Sequence, residues 1–223
     1  MRIGIFGGTF DPIHHGHLIL AEQCREQCRL DEVWFVPAAL PPHKLDRSIS
    51  PAKFRTEMLE LAISGNPCFR LNRIELDRSG PSYTVATLDQ LRTDEPTNEL
   101  FLLVGADSLR DLPTWREPRR ILELAIVVAV NRGQPSVADS NAARELAENL
   151  GADPSRVQIV QMPGIDISAT DIRQRVATGR TIRYLVPRAV EMYLREHPVY
   201  ETGDFARWAT PESHLKMAPE PKS

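Results

Sequence analysis

Short runs of β-branched and aromatic residues recur along the chain, separated by stretches whose apolar positions return every three or four residues. The first pattern suits strands buried on both faces, the second suits amphipathic helices, and their alternation predicts βαβ units feeding a parallel sheet. Strands are predicted near Arg2–Phe6, Val33–Pro37, Cys68–Asn72, Leu100–Val104, Ile126–Val130 and Val157–Gln161. Between them, Leu18 to Arg29 reads as a helix, and Ser50 with Pro51 supplies a cap and a first-turn proline for a second helix that Gly65 ends. Tyr83 to Thr93 and Ala142 to Leu150 are two more. Ser168 to Thr178, stopped by Gly179, and Pro187 to Glu196 are helices with no strand after them. The expected fold is α/β, a Rossmann-like doubly wound parallel sheet of about six strands with C-terminal helices, occupying residues 1–200. From residue 201 to 223 the periodicity is lost and Pro, Ser and scattered charge take over, so this tail is expected to be poorly ordered.

Composition narrows the partners. With 27 basic against 30 acidic residues the net charge is -3, so no global field favours nucleic acid or an anionic membrane, and an anionic ligand must be held by a local site. The longest apolar run, Leu124 to Val130, is far short of the ~20 residues that span a bilayer. Three cysteines are too few and too oddly numbered for a disulfide framework. Cys24 and Cys28 stand four apart on a helical stretch and read as small core residues. A reducing, cytoplasmic location is expected.

The candidate chemistry starts at GGTFDPIHHGH, residues 7 to 17, between the first strand and the first helix. In open α/β sheets this loop meets a helix N-terminus whose free N–H groups favour anions. Gly7 and Gly8 let backbone approach a phosphate, Asp11 and Pro12 shape a turn, and His14 and His17, three apart, share one face if the helix begins near them. His15 points elsewhere and reads as structural or solvent-facing. A zinc site lacks a third ligand in motif spacing, and both G-x-G-x-x-G and G-x-x-x-x-G-K-[ST] are absent. The second anchor is ISATDIR, residues 167 to 173, where Ser168 and Asp171 resemble a capping box and Arg173 lies within the first turn and a half.

A histidine pair after the first strand, joined to an S-x-T-x-x-R helix start late in the chain, resembles the H-x-G-H nucleotidyltransferase superfamily. PPHK at 41–44, PSYT at 81–84, GADSL at 105–109 and LPTW at 112–115 narrow the resemblance to the bacterial nicotinate-nucleotide adenylyltransferases, over roughly residues 1 to 200. Ala169 stands where the family often has serine, and PAALPPHK lacks the asparagine many relatives carry after its first proline. The resemblance implies adenylyl transfer from ATP to nicotinate mononucleotide. It implies His14, His17 and Arg173 as catalytic residues, and ATP held by Gly7, Gly8, Thr9, Phe10, His14, His17, Ile167, Ser168, Thr170 and Arg173. The mononucleotide falls to Lys44, Ser82, Tyr83, Thr84, Gly105, Asp107 and Trp115. Mg²⁺ is expected to travel with ATP, with no dedicated protein metal ligands. The oligomeric state stays open, a homo-oligomer included. The alternatives are a related adenylyltransferase acting on nicotinamide mononucleotide and a non-catalytic nucleotide-binding regulator.

Overall fold

The computed structural model describes residues 1–39, 49–132 and 137–200. Six strands, β1 (Arg2–Gly8), β2 (Glu32–Pro37), β3 (Phe69–Leu71), β4 (Glu99–Gly105), β5 (Ala125–Arg132) and β6 (Val157–Met162), form one sheet in the order β3-β2-β1-β4-β5-β6. All neighbours run parallel. The chain starts in the middle, builds outward to β3, then crosses back to β4 on the other side of β1. The strand order therefore reverses between β1 and β4, and their carboxyl ends open a crevice at that switch point.

The helices are α1 (His15–Gln27), α2 (Ala52–Ile63), α3 (Thr84–Asp94), α4 (Ala106–Asp111), α5 (Pro118–Leu124), α6 (Val137–Asn149), α7 (Ala169–Ala177) and α8 (Arg188–Glu196). Strand alternation divides the core between the two faces of the sheet. Leu100, Leu102 and Val104 of β4, with Val127 and Ala129 of β5, pack with Leu88, Ile121 and Ala147 from α3, α5 and α6. Phe101, Leu103, Val128 and Val130 point the other way and pack with Cys24, Met58, Ile172 and Val190 from α1, α2, α7 and α8. Both faces of the central strands are thus covered, which is why they read as continuous apolar runs instead of alternating ones. Among the described residues no helix is long and apolar enough to cross a membrane.

The structure departs from the sequence reading in several places, among them α6, which starts at Val137 and not at Ala142. The first helix begins at His15, three residues before the predicted Leu18, because His14 takes an extended N-cap conformation and ends the turn. The predicted β3 shrinks to three residues. The β4-to-β5 crossover carries two helices that periodicity did not find. Each is under eight residues, and Pro113 and the left-handed Glu117 (φ 52°) interrupt them. Cys24 and Cys28 are buried free thiols. The predicted tail, 201–223, lies outside the described residues.

Candidate active site

The loop after β1 is held in a conformation that its own residues do not prefer. Phe10 has φ 49°, a region that costs a bulky L residue about 1–3 kcal/mol and persists only when the surroundings impose it. The surroundings are visible. The Phe10 ring is buried in an aromatic cluster, 5.4 Å from Phe6, 5.7 Å from Phe35 and 5.2 Å from the His17 imidazole. A Cβ at Gly8 would meet the Phe10 ring at 2.8 Å, so glycine is needed there for packing. Gly7 and Gly8 belong to the end of β1, paired with Val36 and Pro37, and are not in the loop proper as the sequence suggested.

Arg55, 1% exposed, reaches from α2 to close the loop: Nη1 donates to the Thr9 carbonyl at 2.8 Å and Nε to the Ser50 carbonyl at 2.9 Å. Burial holds its pKa below the usual guanidinium range, and the Asp11 carboxylate opposes that shift. The buried Asp11 carboxylate accepts from the Ser50 N–H at 3.1 Å and the Tyr200 hydroxyl at 2.7 Å. Asp11 therefore does more than shape a turn.

His14 is the residue before the helix and His17 lies in its first turn, yet the two imidazoles stack with centroids 3.6 Å apart and planes 21° from parallel. Gly16 makes room, because a Cβ there would sit 3.1 Å from the His14 ring. The His14 backbone N–H donates to His17 Nδ1 at 3.3 Å. With Nδ1 accepting, the neutral ring carries its proton on Nε2, which makes Nε2–H a donor.

The second anchor meets the first in space. Ser168 caps α7, its hydroxyl accepting from the Asp171 N–H at 3.1 Å. The position a Cβ would take at Gly16 is 3.8 Å from Ile167, which places the start of α7 beside the start of α1. Arg173 Nη1 donates to the Asp11 carbonyl at 2.7 Å and Nη2 to the Thr170 hydroxyl at 3.2 Å. Two helix N-termini, two imidazoles and a guanidinium thus converge where β1 ends, an arrangement suited to a polyanion.

Next to this anchor lies a cleft of about 450 Å³ between the carboxyl ends of β1, β2 and β4 and the start of α3. Gly7, Gly8, Ser82, Tyr83, Thr84 and Trp115 all line it. Tyr83 is the N-cap of α3, and its own N–H is taken by the Pro81 carbonyl at 3.1 Å, so the donors facing out come from Thr84 onward. Ser82 is buried and accepts from the Ala39 N–H at 3.2 Å. Trp115 follows the 3₁₀ turn Leu112–Thr114, and the neighbouring Arg116 guanidinium lies 4.8 Å from the Tyr83 ring centroid. Gly105 caps α4 at the end of β4. Asp107 is exposed, pairs with Arg110, and is not part of the cleft lining. Lys44, with the rest of PPHK, lies outside the described residues.

Sequence reasoning missed Arg55, Tyr200 and the buried Glu75, which is among the residues lining the cleft and whose carboxylate accepts from the Thr87 hydroxyl at 2.7 Å. None stands in a short motif. Only the unusual presence of an arginine on the apolar side of α2 hinted at the first.

Residues 5–175 match the cytidylyltransferase-like family. A probable nicotinate-nucleotide adenylyltransferase of Thermomicrobium roseum is 50% identical over 202 residues, covering 90% of this chain and 92% of its own. One of the same name from Thermus thermophilus is 48% identical over 201 residues, covering 90% of this chain and 100% of its own. Among solved structures, Plasmodium falciparum nicotinic acid mononucleotide adenylyltransferase complexed with NaAD superposes with a TM-score of 0.72 at 18% identity, over 89% of this chain and 97% of its own. At that identity the likeness speaks for the fold.

Proposed function

That the chain belongs to the cytidylyltransferase-like family, among the nicotinate-nucleotide adenylyltransferases, is the premise from which we propose how it works. It transfers the adenylyl group of ATP to nicotinate mononucleotide, giving nicotinate adenine dinucleotide and pyrophosphate. The observation that carries the assignment to this site is continuity. Gly7 and Gly8 line the cleft, and the same stretch of chain runs on to His14 and His17 at the phosphate anchor. A mononucleotide in the cleft and a triphosphate on the anchor would meet at the end of β1.

The attacking oxygen is that of the mononucleotide 5′-phosphate, already largely ionised at neutral pH because its second pKa is about 6. It needs no general base. Its bond to the α-phosphorus forms as the bond from that phosphorus to the β-phosphate oxygen breaks, and the electron pair leaves with pyrophosphate. The protein's task is to bring two anions together in line and to meet the charge that develops on the leaving group. His17 Nε2–H and the His14 ring flank the reacting phosphate. Arg173 and the N–H groups at the start of α7 receive the leaving pyrophosphate, and Thr9 and Phe10 offer backbone to the nucleotide.

Mg²⁺ neutralises triphosphate charge when bound. The anchor offers imidazoles, a guanidinium and N–H donors, none of which suits a hard cation that prefers oxygen, and the Asp11 carboxylate is already engaged by Ser50 and Tyr200. The ion would therefore come with ATP, its ligands supplied by phosphate and water oxygens and not by residues of the anchor.

In the cleft, the free N–H groups of the first turn of α3, beginning at Thr84, donate to the nicotinate carboxylate, and Trp115 lies against the pyridine ring. Pyrophosphate release on mixing enzyme, ATP, Mg²⁺ and nicotinate mononucleotide tests the reading. Release that requires both nucleotides supports it, and release without the mononucleotide, or none at all, overturns it.

A further inference from the structure

Tyr200 lies four residues beyond the end of α8 and 189 positions from Asp11, yet its hydroxyl donates to Asp11 Oδ1 at 2.7 Å. The other oxygen of that carboxylate takes the Ser50 N–H at 3.1 Å, and the Asp11 main-chain carbonyl takes Arg173 Nη1 at 2.7 Å. Asp11 is 5% exposed and follows the left-handed Phe10, so its main chain has little room to turn while both carboxylate oxygens are held. These contacts form a single line: Tyr200 hydroxyl, Asp11 carboxylate, Asp11 carbonyl, Arg173 guanidinium.

We infer that Tyr200 and Asp11 are positioning residues for Arg173, fixing the angle at which its guanidinium meets the phosphate chain. The idea rests on the proposed role of Arg173 in holding the leaving group. Two of the five guanidinium donors are spent on Asp11 and Thr170, and those bonds decide where the remaining N–H groups point. Without the Tyr200 hydroxyl, one carboxylate oxygen loses its partner, Asp11 is held by Ser50 alone, and its carbonyl fixes Arg173 less firmly. Burial and the adjacent Asp11 carboxylate raise the Tyr200 phenol pKa, so the hydroxyl keeps its proton throughout the neutral range. The tether is then constant with pH in that range.

The test is a double-mutant cycle with Tyr200→Phe and Arg173→Lys, using steady-state pyrophosphate release well below the lowest melting temperature of the four proteins. Lysine keeps the charge but cannot make the two-point contact. Tyr200→Phe alone is expected to lower kcat roughly tenfold with the mononucleotide KM unchanged, which lies within the coupling range of residues in one hydrogen-bond network. In the Arg173→Lys background the same change should cost less than about twofold, since there is no longer a fork to position. An equal loss in both backgrounds would show that Tyr200 acts on the fold and not on Arg173, and wild-type kcat in Tyr200→Phe would end the proposal directly. If Arg173→Lys alone matched the wild type, the inference would fall together with the role of Arg173, while the adenylyl transfer seen in the wild type would stand.

Discussion

Arg55→Met should loosen the phosphate loop at Thr9 without removing any side chain that meets substrate. Methionine fills much of the space of the arginine stem but makes neither hydrogen bond, so the Thr9 and Ser50 carbonyls lose donors at 2.8 and 2.9 Å. Hydrogen bonds from a charged donor are worth about 1.5–3 kcal/mol each, which puts the gross loss at roughly 3–6 kcal/mol. Part of it is recovered, because the guanidinium is desolvated in the native state, as its lowered pKa indicates, and an apolar side chain carries no such cost. A net destabilisation of about 2–4 kcal/mol remains, since the Asp11 carboxylate also loses a neighbouring cation. For a chain of this length that corresponds to a fall in Tm of roughly 4–16 °C. The loop should suffer more than the average of the fold, because Phe10 relies on its surroundings to stay in the left-handed region. Below Tm, kcat should therefore drop together with the affinity for ATP. Thermal unfolding and steady-state kinetics on one preparation check both. A Tm within about 2 °C of the wild type, or full activity, would refute the claim that Arg55 fastens the loop.

Other outcomes follow from the site. His17→Ala should lower kcat by about 10²–10³, as for loss of one preorganised donor, with a modest fall in Tm because the ring also stacks on His14 and packs against Phe10, and a fully active folded variant would remove His17 from the phosphate anchor. Trp115→Ala should raise KM for nicotinate mononucleotide with a smaller effect on KM for ATP, and an unchanged KM would take Trp115 off the pyridine ring. Burial pushes the thiol pKa of Cys24 and Cys28 up, whereas Cys68 is half-buried, so iodoacetamide on the native protein should alkylate Cys68 first, as read by mass spectrometry. Labelling of Cys24 ahead of Cys68 would contradict the packing of α1.

How much of this was legible beforehand varied with the physical signal. The six strands are visible because β1, β4 and β5 are buried on both faces and must be apolar throughout. The short helices α4 and α5 are not, because neither spans enough turns to show a period. The histidine pair and the capped start of α7 are local, so sequence exposes them, but their meeting through Arg173 and Asp11 joins residues 162 positions apart and has no local trace. Asp107, expected at the substrate, sits in the first turn of α4, exposed beside Arg110 and outside the cleft lining. Tyr83, expected at the mononucleotide, does line the cleft, but its N–H is taken by the Pro81 carbonyl. Arg55 and Tyr200 became functional candidates only when packing brought them to the loop.

The central claim is that the cleft beside this anchor is built for a nicotinate carboxylate, and an internal competition tests it most directly. Equal amounts of nicotinate and nicotinamide mononucleotide are mixed with limiting enzyme, ATP and Mg²⁺, and the two dinucleotides are separated and counted, which gives the ratio of kcat/KM without separate kinetics. The two substrates differ only in an oxygen replaced by NH₂. The carboxylate can accept every N–H at the start of α3, while the amide can turn a donor toward a donor. An unpaired buried polar group costs about 1–3 kcal/mol, more for a charged partner, and sites that pair a substrate's polar group can discriminate by about 10⁴. The account predicts the deamidated dinucleotide in at least about hundredfold excess, and near-equal amounts of the two products, or an excess of the amide form, would contradict it.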